Sequence, residues 1–410
     1  MDLPPVRFPF SSSVALGVVA LIHITLVTLA LTGPLVAVAT EYLGLRRQDA
    51  RYDALAKRLT QILIEATVIG GIFGSAIVVL LLGFYPILIA TLFNIFFWLL
   101  VLQLLAGYLI NLLFMTLYLL RWERMKDRRR AHMALGIIAA IAPFLVAAVF
   151  NAAVTFMGTP GLWPTSGRMW HAVLNPTFGA SFLHRVFASL ALVGALIVAQ
   201  ALWRKRAAPD PRNVEIRYGS RLAVVATALQ VIPGLWYYFA LPPSSREVLW
   251  MGIYGVWIGG ILAGLLALAF FAIYGLATHE RVATSGLWAA IGLTVLGVWL
   301  MGWTRSATRG NDLIAGVMSS EQKMLVTPSS LIAPADAQAL FAKNCGMCHP
   351  GLAGDAISKS RKYQTDEELR SFLEDPASRG VAMPPVQLPE TEMNSLIRYL
   401  REQAGAARQR

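Results

Sequence analysis

Eight stretches of this chain are long and apolar enough to cross a lipid bilayer: residues 12–40, 59–83, 86–120, 133–157, 178–203, 220–241, 247–277 and 286–303. Hydrocarbon offers no partner to a backbone N–H or C=O, so runs of this length fold as helices, which pair those groups within the segment. The expected fold class is therefore all-α, a polytopic membrane bundle of eight transmembrane helices. Several stretches exceed the span of a bilayer, which allows tilt or extension beyond it. A formal net charge of +12 could suggest nucleic acid as a partner, but the cations are gathered in the short loops between spans. Arg46, Arg47, Arg51, Lys57 and Arg58 follow the first span, and Arg121, Arg124, Lys126, Arg128, Arg129 and Arg130 the third. Arg204, Lys205, Arg206, Arg212, Arg217 and Arg221 follow the fifth, and Arg281 the seventh, whereas the alternate loops hold only Arg168 and Arg246. This is the positive-inside asymmetry of a multi-pass membrane protein, not a nucleic-acid footprint. Trp163, Trp170 and Trp303 fall at the opposite boundary and suit an interfacial belt. The first stretch lacks a basic leader and a cleavage site, so it is expected to stay as a span.

Chemistry enters with Cys345-Gly346-Met347-Cys348-His349. Two thiols separated by two residues and followed by histidine are what covalent haem attachment requires: the thiols form thioethers and the histidine ligates the iron. A redox disulfide or half a zinc site would also use CxxC, but the histidine, and the absence of any other cysteine, argue against both. Met383, in Gly380-Val381-Ala382-Met383-Pro384-Pro385, is the candidate for the second axial ligand, since the prolines stiffen its loop; the alternative is a core methionine. Helices are expected over Ala335–Asn344 and Glu390–Gln403, the latter with Met393, Leu396, Ile397 and Leu400 on its apolar stripe. The arrangement resembles a class I cytochrome c over the last 75 or so residues. That divides the chain into a membrane domain (1–303), a polar linker (304–333) and a periplasmic cytochrome c domain (334–410). Covalent haem is attached outside the inner membrane, and eight crossings return the chain to its starting side, so both termini are expected in the periplasm. From Pro334 on, ten Lys/Arg balance ten Asp/Glu, so charge does not identify the periplasmic electron donor or acceptor that docks there.

Inside the spans, His23 and His184 are the histidines that could carry chemistry. An imidazole at such a depth either binds a metal or makes an interhelical hydrogen bond. Here the chain resembles subunit I of cytochrome bd quinol oxidases. Glu41 follows His23 at a matching distance; Leu174-Asn175-Pro176 leads into Phe182-Leu183-His184; Trp122-Glu123-Arg124 resembles the exit of the family's third helix. The resemblance is good over the first six helices and poor over the last two. It implies a low-spin b haem on His184, iron at a second haem site on His23, and Met251 opposite His184, with His171 as a weaker alternative. It also implies a companion membrane subunit and leaves quinone binding possible. Arg185, Arg168 and Arg246 near the outer face are candidates for haem propionates. His132 and His279 sit among inner-loop charges and read as solvated; Glu65 is expected to snorkel or to pair with Arg58.

The departures from that family bear on function. Gln103 and Asn111 stand where its third helix carries two glutamates, the quinol loop shrinks to about Leu241–Arg246, and Gly302-Trp303-Thr304-Arg305 lies near the place of a missing Gly-Arg-Gln-Pro-Trp motif. Amides hydrogen-bond but do not relay protons by ionising. The expected function is electron transfer between one or two b haems in the bundle and the tethered c haem. The alternatives are a divergent terminal oxidase fed by cytochrome c, and a haem-free bundle that only anchors the cytochrome.

Overall fold

The structure, a computed structural model, describes residues 12–103, 108–204, 212–277, 284–308, 337–345, 360, 362–379, 385–386, 388 and 390–406. The described residues are helical, with no strand among them. They fall into two units, one of Ser13–Leu80 and Thr91–Thr308, the other of Met1–Ser12, Leu81–Ala90 and Arg309–Arg410. The all-α expectation therefore holds.

The long helices are α1 (Ser12–Arg47), α2 (Ala50–Phe84), α5 (Arg129–Phe156), α6 (Phe178–Trp203), α7 (Arg212–Leu229) with its continuation α8 (Val231–Ala240), α9 (Tyr254–Phe270) and α10 (Thr284–Ala307). Among the described residues, seven helices are long and apolar enough to cross a membrane. Over the third expected span the structure describes α3 (Pro86–Leu102) and α4 (Leu109–Leu120), with π-helical geometry at Gln103 and Tyr108. Between α7 and α8 the helix turns at Gln230, three residues before Pro233, which has no N–H to give the ladder.

α1 and α2 run past the expected spans, to Arg47 and from Ala50, and leave only Gln48 and Asp49 to reverse the chain. Gln48 takes the left-handed conformation (φ 49°). Asp49 accepts the Arg51 backbone N–H at 3.0 Å and its guanidinium at 2.7 Å, which holds its carboxyl below the usual range.

Close approach of backbones sets the packing. A Cβ on Gly194 of α6 would lie 2.6 Å from the Gly219 carbonyl of α7, and one on Gly219 would lie 2.6 Å from the Gly194 carbonyl. Only glycine permits this crossing, the usual device of membrane helices. A core of Leu29, Val36, Leu55, Leu59, Leu63, Met115, Leu192 and Ile197 joins α1, α2, α4 and α6.

In the second unit, α11 (Ala337–Asn344), α12 (Asp366–Glu374) and α13 (Glu390–Ala406) surround one core. Met393, Leu396, Ile397 and Leu400 are buried there with Leu340, Phe341, Leu369 and Leu373, as the apolar stripe requires. α12 is an element the apolar periodicity did not reveal. Its start is a capping box, in which the Thr365 hydroxyl accepts from Glu368 N–H and the Glu368 carboxylate accepts from Thr365 N–H.

Candidate functional site

Two imidazoles on neighbouring helices define the first site. α1 and α6 are clamped where Thr32 Oγ1 meets Ser189 Oγ at 2.7 Å and Ser189 Oγ also bonds the Thr28 carbonyl. Both helices run antiparallel to α7, since Thr40 and the Ile197–Val198 turn face Tyr218 and Gly219. Being parallel, α1 and α6 carry His23 and His184 on the same side of the clamp. His23 is nine residues and His184 five residues ahead of the paired Thr32 and Ser189, so their axial offset is about 6 Å, one helical turn.

The start of α6 is fixed by Asn175. This residue is 4% exposed, and its amide donates to Thr155 Oγ1 at 2.9 Å and to the Ala172 carbonyl at 2.9 Å. Next to it, Pro176 packs on Gly161, whose φ of +58° and close contact leave no room for a side chain. Asn151 extends the network: its amide donates to the Phe178 carbonyl at 3.0 Å, and its oxygen accepts from Ser181 Oγ at 2.8 Å. The Leu174-Asn175-Pro176 signature is thus a hydrogen-bonded pedestal beneath the helix that carries His184.

Each imidazole has one nitrogen committed. His23 Nδ1 lies 2.8 Å from the Gly70 carbonyl, and His184 Nδ1 lies 3.3 Å from the Gln230 carbonyl. A carbonyl only accepts, so Nδ1 carries the proton in both and the Nε2 lone pair is left for another partner. That is the tautomer a metal-ligating histidine needs, with the backbone as its outer hydrogen bond. A Cβ at Gly74 would stand 2.8 Å from His23 Cε1, so this glycine makes room for the ring; Gly234 lies beside His184, where a Cβ would stand at an ordinary contact of 3.5 Å from Nδ1. Arg185 lies within electrostatic range of both rings and Arg305 of His184, while Arg305 Nη2 lies 3.5 Å from Asn151 Oδ1. Nitrogen ligands with guanidinium groups nearby are a donor set that fits haem iron and its propionates.

Other expected site residues are distributed differently. Met251 lies in a π-helical turn (Val248–Gly252) with its side chain 85% exposed. His184 meets Gln230 and Gly234 rather than this turn in its described contacts. His171 is half-buried, its Nδ1 2.7 Å from Ser166 Oγ. Arg168 is exposed, and Arg246 is half-buried with its Nε enclosed. Cys345 follows α11 directly, its N–H bonded to the Phe341 carbonyl at 2.8 Å, and packs half-buried on the core under α13. Cys348, His349, Met383 and His279 lie outside the described residues.

Sequence reasoning missed a second polar cluster. His132 is not solvated: at 2% exposure it is buried, because α5 turns this face inward while Arg129 beside it pairs with Asp53 at 2.6 Å. Its Nδ1 is 2.9 Å from Glu41 Oε1, and its Nε2 is 2.8 Å from the Tyr118 carbonyl. The Tyr118 hydroxyl donates to Glu41 Oε2 at 2.5 Å, and the Tyr118 ring stacks on the imidazole at 4.4 Å. Nε2 must donate to the carbonyl, so one further proton lies between Nδ1 and the carboxyl. Glu41 and His132 together are therefore neutral whichever of them holds it, and a neutral pair with every donor matched can be buried. No local spacing joins residues 41, 118 and 132; only the packing of α1, α4 and α5 does.

Arg58 does not pair with Glu65 as expected; it bonds Glu215 of α7 at 2.6 Å, and Arg204 bonds the other oxygen of the same carboxylate. Gln103 and Asn111 are both buried, and the Asn111 amide donates to the Ala139 carbonyl at 2.8 Å while Gln103 Oε1 has no partner among the described residues.

No protein of curated function matches this chain. The solved bd oxidase from Geobacillus thermodenitrificans matches in structure with a TM-score of 0.68, over 77% of this chain and 92% of that one, at 16% sequence identity. At that identity the likeness is one of fold. Residues 12–238 match the family described as cytochrome bd terminal oxidase subunit I, a range ending at α8, where the sequence resemblance also fades. That range is more than half of the 410 residues, and the chain belongs to the cytochrome bd terminal oxidase subunit I family.

Proposed function

We propose that this chain is an electron-transfer protein of the bacterial inner membrane, passing electrons between b-type haem in the bundle and one covalent c-type haem in a tethered periplasmic domain. Haem, when bound, supplies the one-electron carrier; the chain supplies ligands, orientation and enclosure. On this reading His184 holds a b haem and His23 an iron at a second site. The observation that carries it is that both imidazoles stand at one end of the bundle with Nδ1 on a backbone carbonyl and Nε2 left available. Family membership supports haem b as the cofactor class. Met251 as the ligand opposite His184 rests on the sequence, and its 85% exposure requires the turn around it to close over the site.

The c-type half rests on Cys345, Cys348, His349 and Met383, with Cys345 lodged where α11 meets the core under α13. The proposed division is a membrane domain (1–303), a linker (304–333) and a cytochrome c domain (334–410). The linker keeps the second domain at high effective concentration beside the bundle. Loop charge supports a periplasmic placement of both termini. Lipid surrounds the bundle; a companion membrane subunit and a periplasmic donor or acceptor complete the path. Buried amides at 103 and 111, in place of ionisable groups, favour this reading over oxygen reduction.

His184→Ala tests the assignment. The b-haem absorbance is expected to fall by at least the share of one haem while the c-haem absorbance stays, and an unchanged b signal in a folded variant would refute it.

A further inference from the structure

At the end of the bundle that carries most of its arginines, α2, α4 and α6 enclose a cavity of about 700 Å³. Arg58 and Gln61 of α2, Leu119 of α4, and Gln200 and Arg204 of α6 line it, with Glu65 on its wall. Four polar atoms of these residues are shut from solvent with no hydrogen-bond partner among the described residues: Nε of Arg58, Nε of Arg204, and both amide atoms of Gln200. Folded proteins leave few such atoms unmatched, and here they gather around a single cavity. Glu215, 2% exposed, already takes one nitrogen from each arginine. With Glu65 on the same wall, two guanidiniums stand against two carboxylates, so the lining carries no net formal charge but keeps N–H donors on Arg58 and Arg204. Each of the three side chains is long, so a rotamer change of Gln200 brings its amide onto a guest.

The remaining wall is apolar. Ile62, Ile64 and Leu119 continue it toward the lipid-facing surface, where Trp203 is 83% exposed, as suits a side chain at the headgroup level. A guest must then offer acceptor oxygens to the arginines, a donor to Gln200 Oε1, and an alkyl chain to the apolar wall.

We propose that this cavity is a binding site for a phospholipid with a hydroxylated headgroup: the phosphodiester on Arg58 and Arg204, a headgroup hydroxyl on Gln200, and an acyl chain along Ile62 and Leu119.

The test uses the purified full-length protein, stripped of lipid in mild detergent. It is titrated with dioctanoyl phosphatidylglycerol, dioctanoyl phosphatidylcholine or inorganic phosphate; native mass spectrometry counts bound lipid and the melting midpoint is followed. Phosphatidylglycerol is expected to bind and to raise the midpoint, with phosphatidylcholine weaker by roughly tenfold or more, the effect of losing one charge-assisted or matched hydrogen bond. Gln200→Leu, which leaves the Arg–Glu–Arg cluster intact, is expected to weaken phosphatidylglycerol by a similar factor. Should that variant fail to fold, Ile62→Trp, which fills the cavity from its apolar wall, is expected to abolish the preference. Equal binding of the two lipids, or an unchanged preference in the folded variant, would overturn the proposal. Equal stabilisation by inorganic phosphate would overturn the lipid assignment and leave a free-anion site.

Discussion

A buried carboxylate and imidazole are tolerated in this bundle because three side chains match one another's donors and acceptors. Glu41, His132 and Tyr118 make a specific prediction at this scale. Glu41→Gln keeps every bond: the amide N–H₂ donates to Nδ1 of a neutral His132 and the amide oxygen accepts from Tyr118. Glu41→Leu leaves the imidazole and the phenol unmatched, at about 1–3 kcal/mol each. In thermal unfolding followed by circular dichroism, the glutamine variant should melt close to the parent and the leucine variant well below it; equal melting would show that the cluster does not hold the helices. The cluster also marks where sequence reading stopped. His132 lies among six cations in the sequence, and its neighbours there gave no sign that α5 turns it inward. Arg58 likewise has Glu65 two turns along its own helix, yet bonds Glu215 from a helix more than 150 residues on. His23 and His184 were legible because ionisable groups stand out in an apolar run, though their tautomers became apparent only with the carbonyls of Gly70 and Gln230 in place.

Helix positions were legible wherever apolar length or an apolar stripe reported them. The stripe of Met393, Leu396, Ile397 and Leu400 identified α13 and its buried face, and the first two spans were found but drawn too short, because their polar ends continue as helix past the hydrocarbon. The π-helical geometry at Gln103 and Tyr108 was not legible, since hydropathy does not distinguish one helical register from another. At the α6–α7 crossing, Gly194→Leu should prevent assembly of a monodisperse protein, because its Cβ alone would press on backbone atoms at 2.6 Å. Gly17→Ala, where nothing lies within 4 Å, should be tolerated, and in a helix interior it is expected to stabilise by about 0.5–1 kcal/mol. Size-exclusion profiles and melting curves separate the two, and a well-behaved Gly194→Leu variant would contradict the packing described.

In the second unit, α12 carries the other helix-scale prediction. The Glu368 carboxyl is held below its usual range by the backbone N–H groups of Gln364 and Thr365. A depressed carboxylate stabilises fully above its unfolded pKa, and that contribution fades as the pH falls through the folded value. Amide exchange in α12 should therefore quicken at acid pH in the parent, and Glu368→Gln should flatten that dependence. Thr365→Ala should cost about 1 kcal/mol of local protection at neutral pH. An acid response that persists unchanged in Glu368→Gln would assign it to another group.

At the scale of the whole molecule, the chain joins a bundle of the bd oxidase subunit I family to a C-terminal unit that carries a CxxCH motif. The two halves are proposed to carry electrons between b haem and c haem. The deciding measurement is a reduced-minus-oxidised spectrum of the purified full-length protein, with pyridine haemochrome quantification and carbon monoxide addition on the same sample. One c haem and one or two b haems per chain are expected, with no carbon monoxide shift in the b bands. One haem per chain, or a high-spin b- or d-type haem that binds carbon monoxide, would contradict the proposal, the first leaving the bundle as an anchor and the second making the chain an oxidase fed by cytochrome c.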